Sequence, residues 1–493
     1  MKFLLFLLAA ISLNIEATIF SSKAIVHPEV GKNGMVVSQH YLATDAGHFI
    51  LAEGGNAYDA SIAVAFALAV VLPRAGNIGG GGFMVMFDEA SQKSFSIDYR
   101  ETAPEAATKN MFLASDGSVD RKKATQGVLS IGVPGTVYGM WEVHKKFGSL
   151  PWSELLAPAI KLAEDGFLIS PFMADALNKR YKKLGKYKNF KNIFYSNYPV
   201  QMHQRLKQPN LAKTLKTISA NGVKGFYEGD VATKIDTFMR ENGGLITKKD
   251  LKNYRPIWRE TLQGNFDEYK IVTMGPPSSG GVHIIQMLNI LENYDLVMMG
   301  HNSPTYTALL TESMKYAYAD RSKYLGDPDF FNVPVQSLIS KEYAEKIHNK
   351  IKLNSITSSD KVLPGSELRH ESLDTTHFSV ADKDGNIISN TYTLNSGFGS
   401  GVIIDGTGIL MNNEMDDFVS APGVPNQFGL IGGEANKIEP FKRPLSSMTP
   451  TIVLKDGKPV YATGSPGGSR IITTVLQFLL NTLVFKMEIS DAT

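Results

Sequence analysis

Asp374-Thr-Thr-His-Phe-Ser-Val-Ala381, Asp382-Lys-Asp-Gly-Asn386 and Ile387-Ile-Ser-Asn-Thr-Tyr-Thr-Leu394 form the stretch on which the fold turns. Thr376 to Ala381 and Ile387 to Leu394 are rich in β-branched and aromatic residues, and the Asp/Gly/Asn segment between them is a strong hairpin signal. Thr451 to Leu454, Asp456-Gly457 and Val460 to Thr463 repeat the pattern. Both hairpins carry apolar residues on both faces in places, which predicts sheets covered on two sides. Before the first hairpin, a polar, Ser-rich run from Asn354 to Asp374, with Pro364-Gly365 in its middle, reads as a mobile loop. Thr375 therefore stands where a loop meets a buried strand. On that pattern alone, two threonines at a strand start are ordinary β-formers, and His377 is an ordinary strand histidine.

Upstream the chain reads as mostly helical. Asn56 to Leu72 follows the Gly54-Gly55 break, Trp152 to Asp165 starts beside Pro151, and Ser303-Pro304 opens a helix to about Tyr324. Met84 to Phe87 and Ser94 to Tyr99 read as a hairpin with Arg100 at its end. Two segments share one layout of strand, glycine-rich loop and apolar helix. One carries Gly275-Pro-Pro-Ser-Ser-Gly-Gly281 and the other Gly464-Ser-Pro-Gly-Gly-Ser469. Neither ends in the Gly-Lys-Ser/Thr of a phosphate loop, which disfavours nucleotides. Such a loop can hold developing negative charge on its amides or can simply be a tight turn.

The chain has 493 residues, 43% apolar and 20% charged, with net charge +2. It has ample core for two domains or one large layered unit. With no basic run and no zinc-finger spacing, nucleic acid is not an expected partner. The chain contains no cysteine, so disulfides, thiolate metal sites and cysteine nucleophiles are excluded. Lys2 followed by the apolar run Phe3 to Leu13 fits a secretory signal, too short to span a bilayer and cut near Ala17 or Ser22. The expected mature protein is exported, periplasmic or secreted, without a membrane span.

Further blocks change the weight of Thr375. They are Asp98-Tyr-Arg-Glu-Thr-Ala-Pro104, Thr391-Tyr-Thr-Leu-Asn395, Asn412-Asn-Glu-Met-Asp-Asp417, Pro444-Leu-Ser-Ser-Met448 and Gly464-Ser-Pro-Gly-Gly-Ser-Arg470. With Gly76-Asn-Ile-Gly-Gly-Gly-Gly-Phe83, Gly132-Val-Pro-Gly-Thr136 and Asp320-Arg-Ser-Lys-Tyr-Leu-Gly-Asp-Pro328, the sequence resembles the γ-glutamyltransferase family of N-terminal-nucleophile hydrolases from about Val37 to its end. The resemblance implies an α+β fold, a four-layer αββα sandwich. It implies self-cleavage between Asp374 and Thr375, giving a large subunit (23–374) and a small catalytic subunit (375–493) from one precursor. Thr375 would be the nucleophile and Thr393 would orient it, while Gly467 and Gly468 supply oxyanion amides. Arg100, Ser446 and Ser447 would hold the α-carboxylate of the glutamyl group, and Asn395, Glu414 and Asp417 its α-ammonium. The implied substrates are glutathione and other γ-glutamyl compounds, with water, amino acids or peptides as acceptors; no cofactor or metal is implied. Alone, Arg100 would read as a surface ion pair and Asp417 as a turn residue.

Three departures stand out. Glu414 replaces a glutamine common in bacterial members. Phe428, in the lid-like Pro425-Asn-Gln-Phe-Gly-Leu430, replaces a tyrosine of several relatives. The chain also stops at Ile489-Ser-Asp-Ala-Thr493, inside a block that the family continues. Two alternatives follow: an acylase on the same fold acting on poly-γ-glutamate or a β-lactam side chain, and a truncated inactive remnant. Retention of Arg100, Ser446, Ser447 and Asp417 favours a substrate with a free glutamyl end.

Overall fold

A computed structural model describes residues 29–355, 357–358, 362 and 375–493. The signal segment 1–22, Asp374 and most of the polar stretch before it lie outside the described residues. In chain order the strands are β1 (Gly34–Val37), β2 (Gly81–Asp88), β3 (Lys93–Asp98), β4 (Phe167–Leu168), β5 (Arg205–Leu206) and β6 (Ile257–Arg259). They continue with β7 (Leu262–Phe266), β8 (Tyr269–Thr273), β9 (Thr375–Asp382), β10 (Ile387–Thr393), β11 (Thr451–Lys455) and β12 (Lys458–Thr463). One sheet has the order β1-β9-β10-β2-β3-β6 and a second the order β12-β11-β8-β7, each antiparallel between neighbours; β4 and β5 form a small ribbon.

The hairpins expected from the sequence are present. Asp382 accepts from Asn386 N at 3.0 Å and from Ala57 N at 2.9 Å, so one side chain closes the β9–β10 turn and ties it to the next layer. The helix beginning at Ala57 is capped by Asn56, whose side chain accepts from Asp59 N while Asp59 accepts from Asn56 N. That reciprocal pair satisfies two helix-end donors. Every residue of this Ala57–Val71 helix is buried, and its alanines let it approach the sheet closely.

Strand alternation sorts the core into layers. Met84, Met86, Phe378, Val380 and Tyr392 join the core beneath the Ala57–Val71 helix. Phe83, Val85 and Phe87 point the other way, into a core with Ile271, Ile452 and Val453 of the second sheet and with helices Gly280–Leu291, Pro304–Tyr324 and Arg470–Leu483. Burying one such phenylalanine stabilises by about 1.5–3 kcal/mol. The result is helices, sheet, sheet, helices, the αββα sandwich. Among the described residues no helix is long and apolar enough to cross a membrane.

Both β8 and β12 pair antiparallel with β11, opposite Thr451 through Thr273 and Thr463. The two glycine loops and the Ser446-Ser447 segment therefore meet at one end of the second sheet. The start of β9 and the end of β10 likewise share one end of the first sheet.

Candidate active site

Thr375 is the first residue of β9, 6% exposed, and lies directly opposite Thr393 of β10. Opposed residues have Cβ atoms about 4.5–5.5 Å apart on the same face, so the two threonine side chains are neighbours. Thr393 Oγ1 accepts from Asn395 N at 2.9 Å. Its carbonyl accepts from Asn77 Nδ2 at 2.8 Å, and Asn77 Oδ1 accepts from Thr136 Oγ1 at 2.7 Å. Asn395 takes a left-handed backbone (φ +74°) and donates through Nδ2 to Asn413 O at 2.9 Å. Asparagine tolerates that conformation better than most residues. His377, next on the same face, has Nδ1 2.9 Å from Thr391 Oγ1 and Nε2 2.9 Å from Ser379 Oγ. Burial lowers its pKa to about 3, so near neutral pH it is an uncharged part of the sheet packing.

Arg100 leaves the end of β3 and is fully buried. Asp98 accepts from its backbone N at 3.0 Å and Tyr254 donates to its carbonyl at 2.8 Å, which fixes the turn that presents the side chain. The guanidinium donates to Pro444 O at 3.2 Å, to Glu414 Oε1, and to Asp417 Oδ2 at 2.5 Å. Glu101 lies 3.7 Å from Nη1. Burial opposes the charge on Arg100, but Glu414, Asp417 and Glu101 outweigh it and raise its pKa. Burial also raises the pKa of Glu414 and of Asp417, partly offset by Arg100. Buried charges persist only when paired and hydrogen-bonded, and each of these acids faces the guanidinium.

The Gly275–Gly281 loop holds the serine segment in place. Pro277 O accepts from Ser446 N at 2.8 Å, Ser279 N donates to Ser446 O at 2.8 Å, and Ser278 Oγ donates to Met448 O at 2.6 Å. From the helical side, Arg321 reaches Ser279 Oγ at 3.1 Å and Ser447 Oγ at 3.5 Å. Over the top runs the segment around Asn426, whose Nδ2 donates to Asp417 Oδ1 at 3.1 Å and whose Oδ1 accepts from Phe428 N at 3.0 Å.

One pocket is lined by Arg100, Thr375, Thr393, Asn395, Glu414, Asp417, Ser446, Ser447 and Gly468, with Phe428, Leu430, Met448 and Ile471. Of the residues proposed from sequence, Gly467 is buried but does not line this pocket, and Asp374 lies outside the described residues. The apolar wall of Leu430, Met448 and Ile471 was not anticipated; single apolar residues carry no signal for a ligand. Arg321 was not anticipated either. Its block, Asp320 to Pro328, carries the family resemblance without marking which of its residues faces the site. Among the described residues no group of three or more His, Asp or Glu is arranged to hold a metal ion.

A threonine starting an inner strand of an αββα sandwich, opposed by a second threonine inside a charged pocket, defines the N-terminal-nucleophile hydrolase class. The family described as gamma-glutamyltranspeptidase matches residues 43–493. A glutathione hydrolase proenzyme of Escherichia coli (strain K12) is 49% identical over 472 residues, covering 95% of this chain and 81% of that protein. The crystal structure of Helicobacter pylori gamma-glutamyltranspeptidase is 46% identical with a TM-score of 0.66, covering 71% of this chain and 99% of that one. Cephalosporin acylase from Bacillus halodurans is 28% identical with a TM-score of 0.82, covering 95% and 84%. The chain belongs to the gamma-glutamyltranspeptidase family and is a γ-glutamyl-transferring and hydrolysing enzyme.

Proposed function

We propose that Thr375 first cleaves its own chain and then carries the γ-glutamyl group of glutathione and related compounds. The observation that carries this reading is the single pocket in which Thr375 and Thr393 meet Arg100, Asp417, Ser446 and Ser447. In the first step Thr375 Oγ attacks the carbonyl carbon of Asp374. The C–N bond breaks, the nitrogen gains the proton, and an ester joins Asp374 to Thr375 Oγ. Water hydrolyses that ester, leaving the Asp374 carboxylate and a free Thr375 amine and hydroxyl. The products are a large subunit, 23–374, and a small subunit, 375–493, which stay packed together.

An α-amine has a reference pKa of about 7.7–8.0, so a useful fraction is neutral near pH 7. It takes the proton from Thr375 Oγ as the oxygen attacks the γ-carbonyl. Thr393 orients the hydroxyl, and the amides of Gly467 and Gly468 receive the oxyanion, usually a dominant electrostatic contribution in such sites. The rest of the peptide leaves as a protonated amine, and water or an acceptor amino acid or peptide then takes the glutamyl group. A neutral His377 fits this scheme as a structural residue.

Recognition follows from the ion pairs already in the pocket. Arg100 with Ser446 and Ser447 takes the α-carboxylate, and Glu414, Asp417 and Asn395 take the α-ammonium. A zwitterion would exchange places with the Arg100 pairs to Glu414 and Asp417 without leaving a buried charge unpaired, the costly outcome. That charge pattern disfavours an acylase acting on poly-γ-glutamate or a β-lactam side chain, despite the likeness to a cephalosporin acylase. The Lys2 to Leu13 segment supports export to the periplasm or medium.

The test is a denaturing gel of the chain beside Thr375→Ala. Two bands for the wild type and one for the variant are expected, with anilide release from γ-glutamyl anilide only in the former. One band for both would overturn the self-cleavage step.

A further inference from the structure

Arg321 sits in the last turn of the Pro304–Tyr324 helix and is 4% exposed. Unlike Arg100, with three carboxylates around it, Arg321 makes no ion pair among the described residues. Burial opposes its charge, Tyr318 and Asp417 favour it, and Arg100 opposes it. The Oδ2 of Asp417 is engaged by Arg100 at 2.5 Å and its Oδ1 by Asn426 at 3.1 Å. A buried cation without its own counter-ion is expensive to keep, which raises the question of what it faces.

It faces the serine wall. Arg321 Nε donates to Ser279 Oγ at 3.1 Å, and Ser279 passes its own hydrogen to Ser446 O at 2.8 Å. Arg321 Nη2 points at Ser447 Oγ, 3.5 Å away. A guanidinium can only donate, so Ser447 Oγ is the acceptor there and its hydrogen is turned away from Arg321. Ser447 lines the pocket. The charge balance points the same way. Arg100 faces Glu101, Glu414 and Asp417, and Arg321 is a second cation behind the serines.

We propose that Arg321 is a positioning and specificity residue of the acyl site: through Ser447 it selects acyl groups that carry an α-carboxylate. This rests on the reading that Arg100, Ser446 and Ser447 receive that carboxylate. The bland competitor is a tether holding the serine segment and the Gly275–Gly281 loop to the helix.

The deciding measurement is the ratio of kcat/KM for γ-glutamyl anilide to that for 4-aminobutanoyl anilide, which keeps the amine and lacks the carboxylate. A charged hydrogen bond is worth a factor of about ten or more. Arg321→Gln should lower the ratio by about that factor, chiefly through KM for the γ-glutamyl compound, with the second substrate nearly unchanged. Combining it with Ser447→Ala should give less than the product of the single effects. An equal fall for both substrates, or an unchanged ratio, overturns the proposal and leaves only the tether. Should Arg321→Gln fail to self-cleave on a gel, Arg321→Lys carries the test. It keeps the charge but cannot fork between Ser279 and Ser447, and the ratio should still fall by about threefold or more; an unchanged ratio there overturns the proposal too. Arg100→Gln separates the two levels. If it leaves the ratio intact, the carboxylate reading itself fails; if it lowers the ratio while the Arg321 variants do not, only the Arg321 role fails.

Discussion

The loops Gly275–Gly281 and Gly464–Ser469 are near-twins in composition, each following a strand and opening an apolar helix, yet they end in different places. The first is a clamp behind the site. Its backbone and serines hold Ser446 and Met448, and none of its residues lines the pocket. The second reaches the pocket through Gly468, which backs onto Phe428, while Tyr318 donates to Ser469 O at 2.6 Å. Both leave the same end of the second sheet, on either side of β11. The loop after the inner strand β8 is enclosed by its neighbours, and the loop after the edge strand β12 is left facing Thr375. A glycine-rich connection thus marks where backbone must come close, and sheet position decides whether it meets packed protein or the pocket.

If that division holds, damage to the two loops should separate activity from stability. The largest effect is expected at Gly468, which has φ +58° and where an added Cβ would come 3.0 Å from the Phe428 ring. Gly468→Ala would displace its amide. Losing one oxyanion donor lowers turnover by about 10²–10³-fold, and single-turnover acylation by γ-glutamyl anilide measures it. Turnover within a fewfold of wild type would take Gly468 out of the oxyanion role. Gly280 is the matching break in the first loop. There a Cβ would fall 2.1 Å from Thr449 Oγ1 and 3.0 Å from Met448 O. Overpacking of this kind costs about 1–3 kcal/mol. Gly280→Ala should lower the thermal midpoint measured by calorimetry while mature enzyme keeps most of its kcat. Full stability would mean that the loop is not a clamp.

A gentler cut sharpens the same comparison. Ser278 Oγ donates to Met448 O at 2.6 Å and accepts from Gly280 N at 3.1 Å, so it joins the first loop to the serine segment. Ser278→Ala should destabilise by about 0.5–1.5 kcal/mol. Because Ser447 adjoins Met448, KM for γ-glutamyl anilide should rise severalfold with kcat nearly unchanged. A fall in kcat at constant KM would instead mean that the first loop bears on the reacting centre.

Local signals explain what was legible beforehand. Asp382 to Asn386 announced a hairpin because turn chemistry is written in adjacent residues, and Asn56 and Ser303 announced helix starts for the same reason. Arg100, Asp417, Ser446 and Ser447 were legible only because their blocks resemble those of a family. No spacing rule would bring Arg100 and Asp417 together from 317 positions apart. Long-range matters stayed hidden. The pairing of β1 with β9 depends on which surfaces complete a sheet, and Arg100 meets its acids only once the turn after β3 is set by Asp98 and Tyr254. Arg321 was invisible because a helical arginine beside Asp320 and Lys323 reads as solvated surface, and only packing shows it buried against two serines.

The smallest expected effect concerns the residue that roofs the second loop. Phe428 is buried to 6% exposure, lines the pocket, and lies against Gly468, with its amide held by Asn426. Its ring can exclude water but cannot bond across the site, whereas a phenol could. Phe428→Tyr adds one hydroxyl at the rim without removing the packing, so the change should be no more than one neutral hydrogen bond, about 1 kcal/mol or roughly fivefold. The step that feels it should be the second one, in which water and an acceptor amine compete for the acyl-enzyme beneath this roof. The expected outcome is therefore a shift of up to about fivefold in the transfer-to-hydrolysis ratio, measured with an added dipeptide acceptor, at nearly constant acylation rate. A changed acylation rate with a constant ratio would give Phe428 the role proposed for Gly468. No change in either would show that the ring only fills space, and the contrast between the loops would then rest on Gly468 alone.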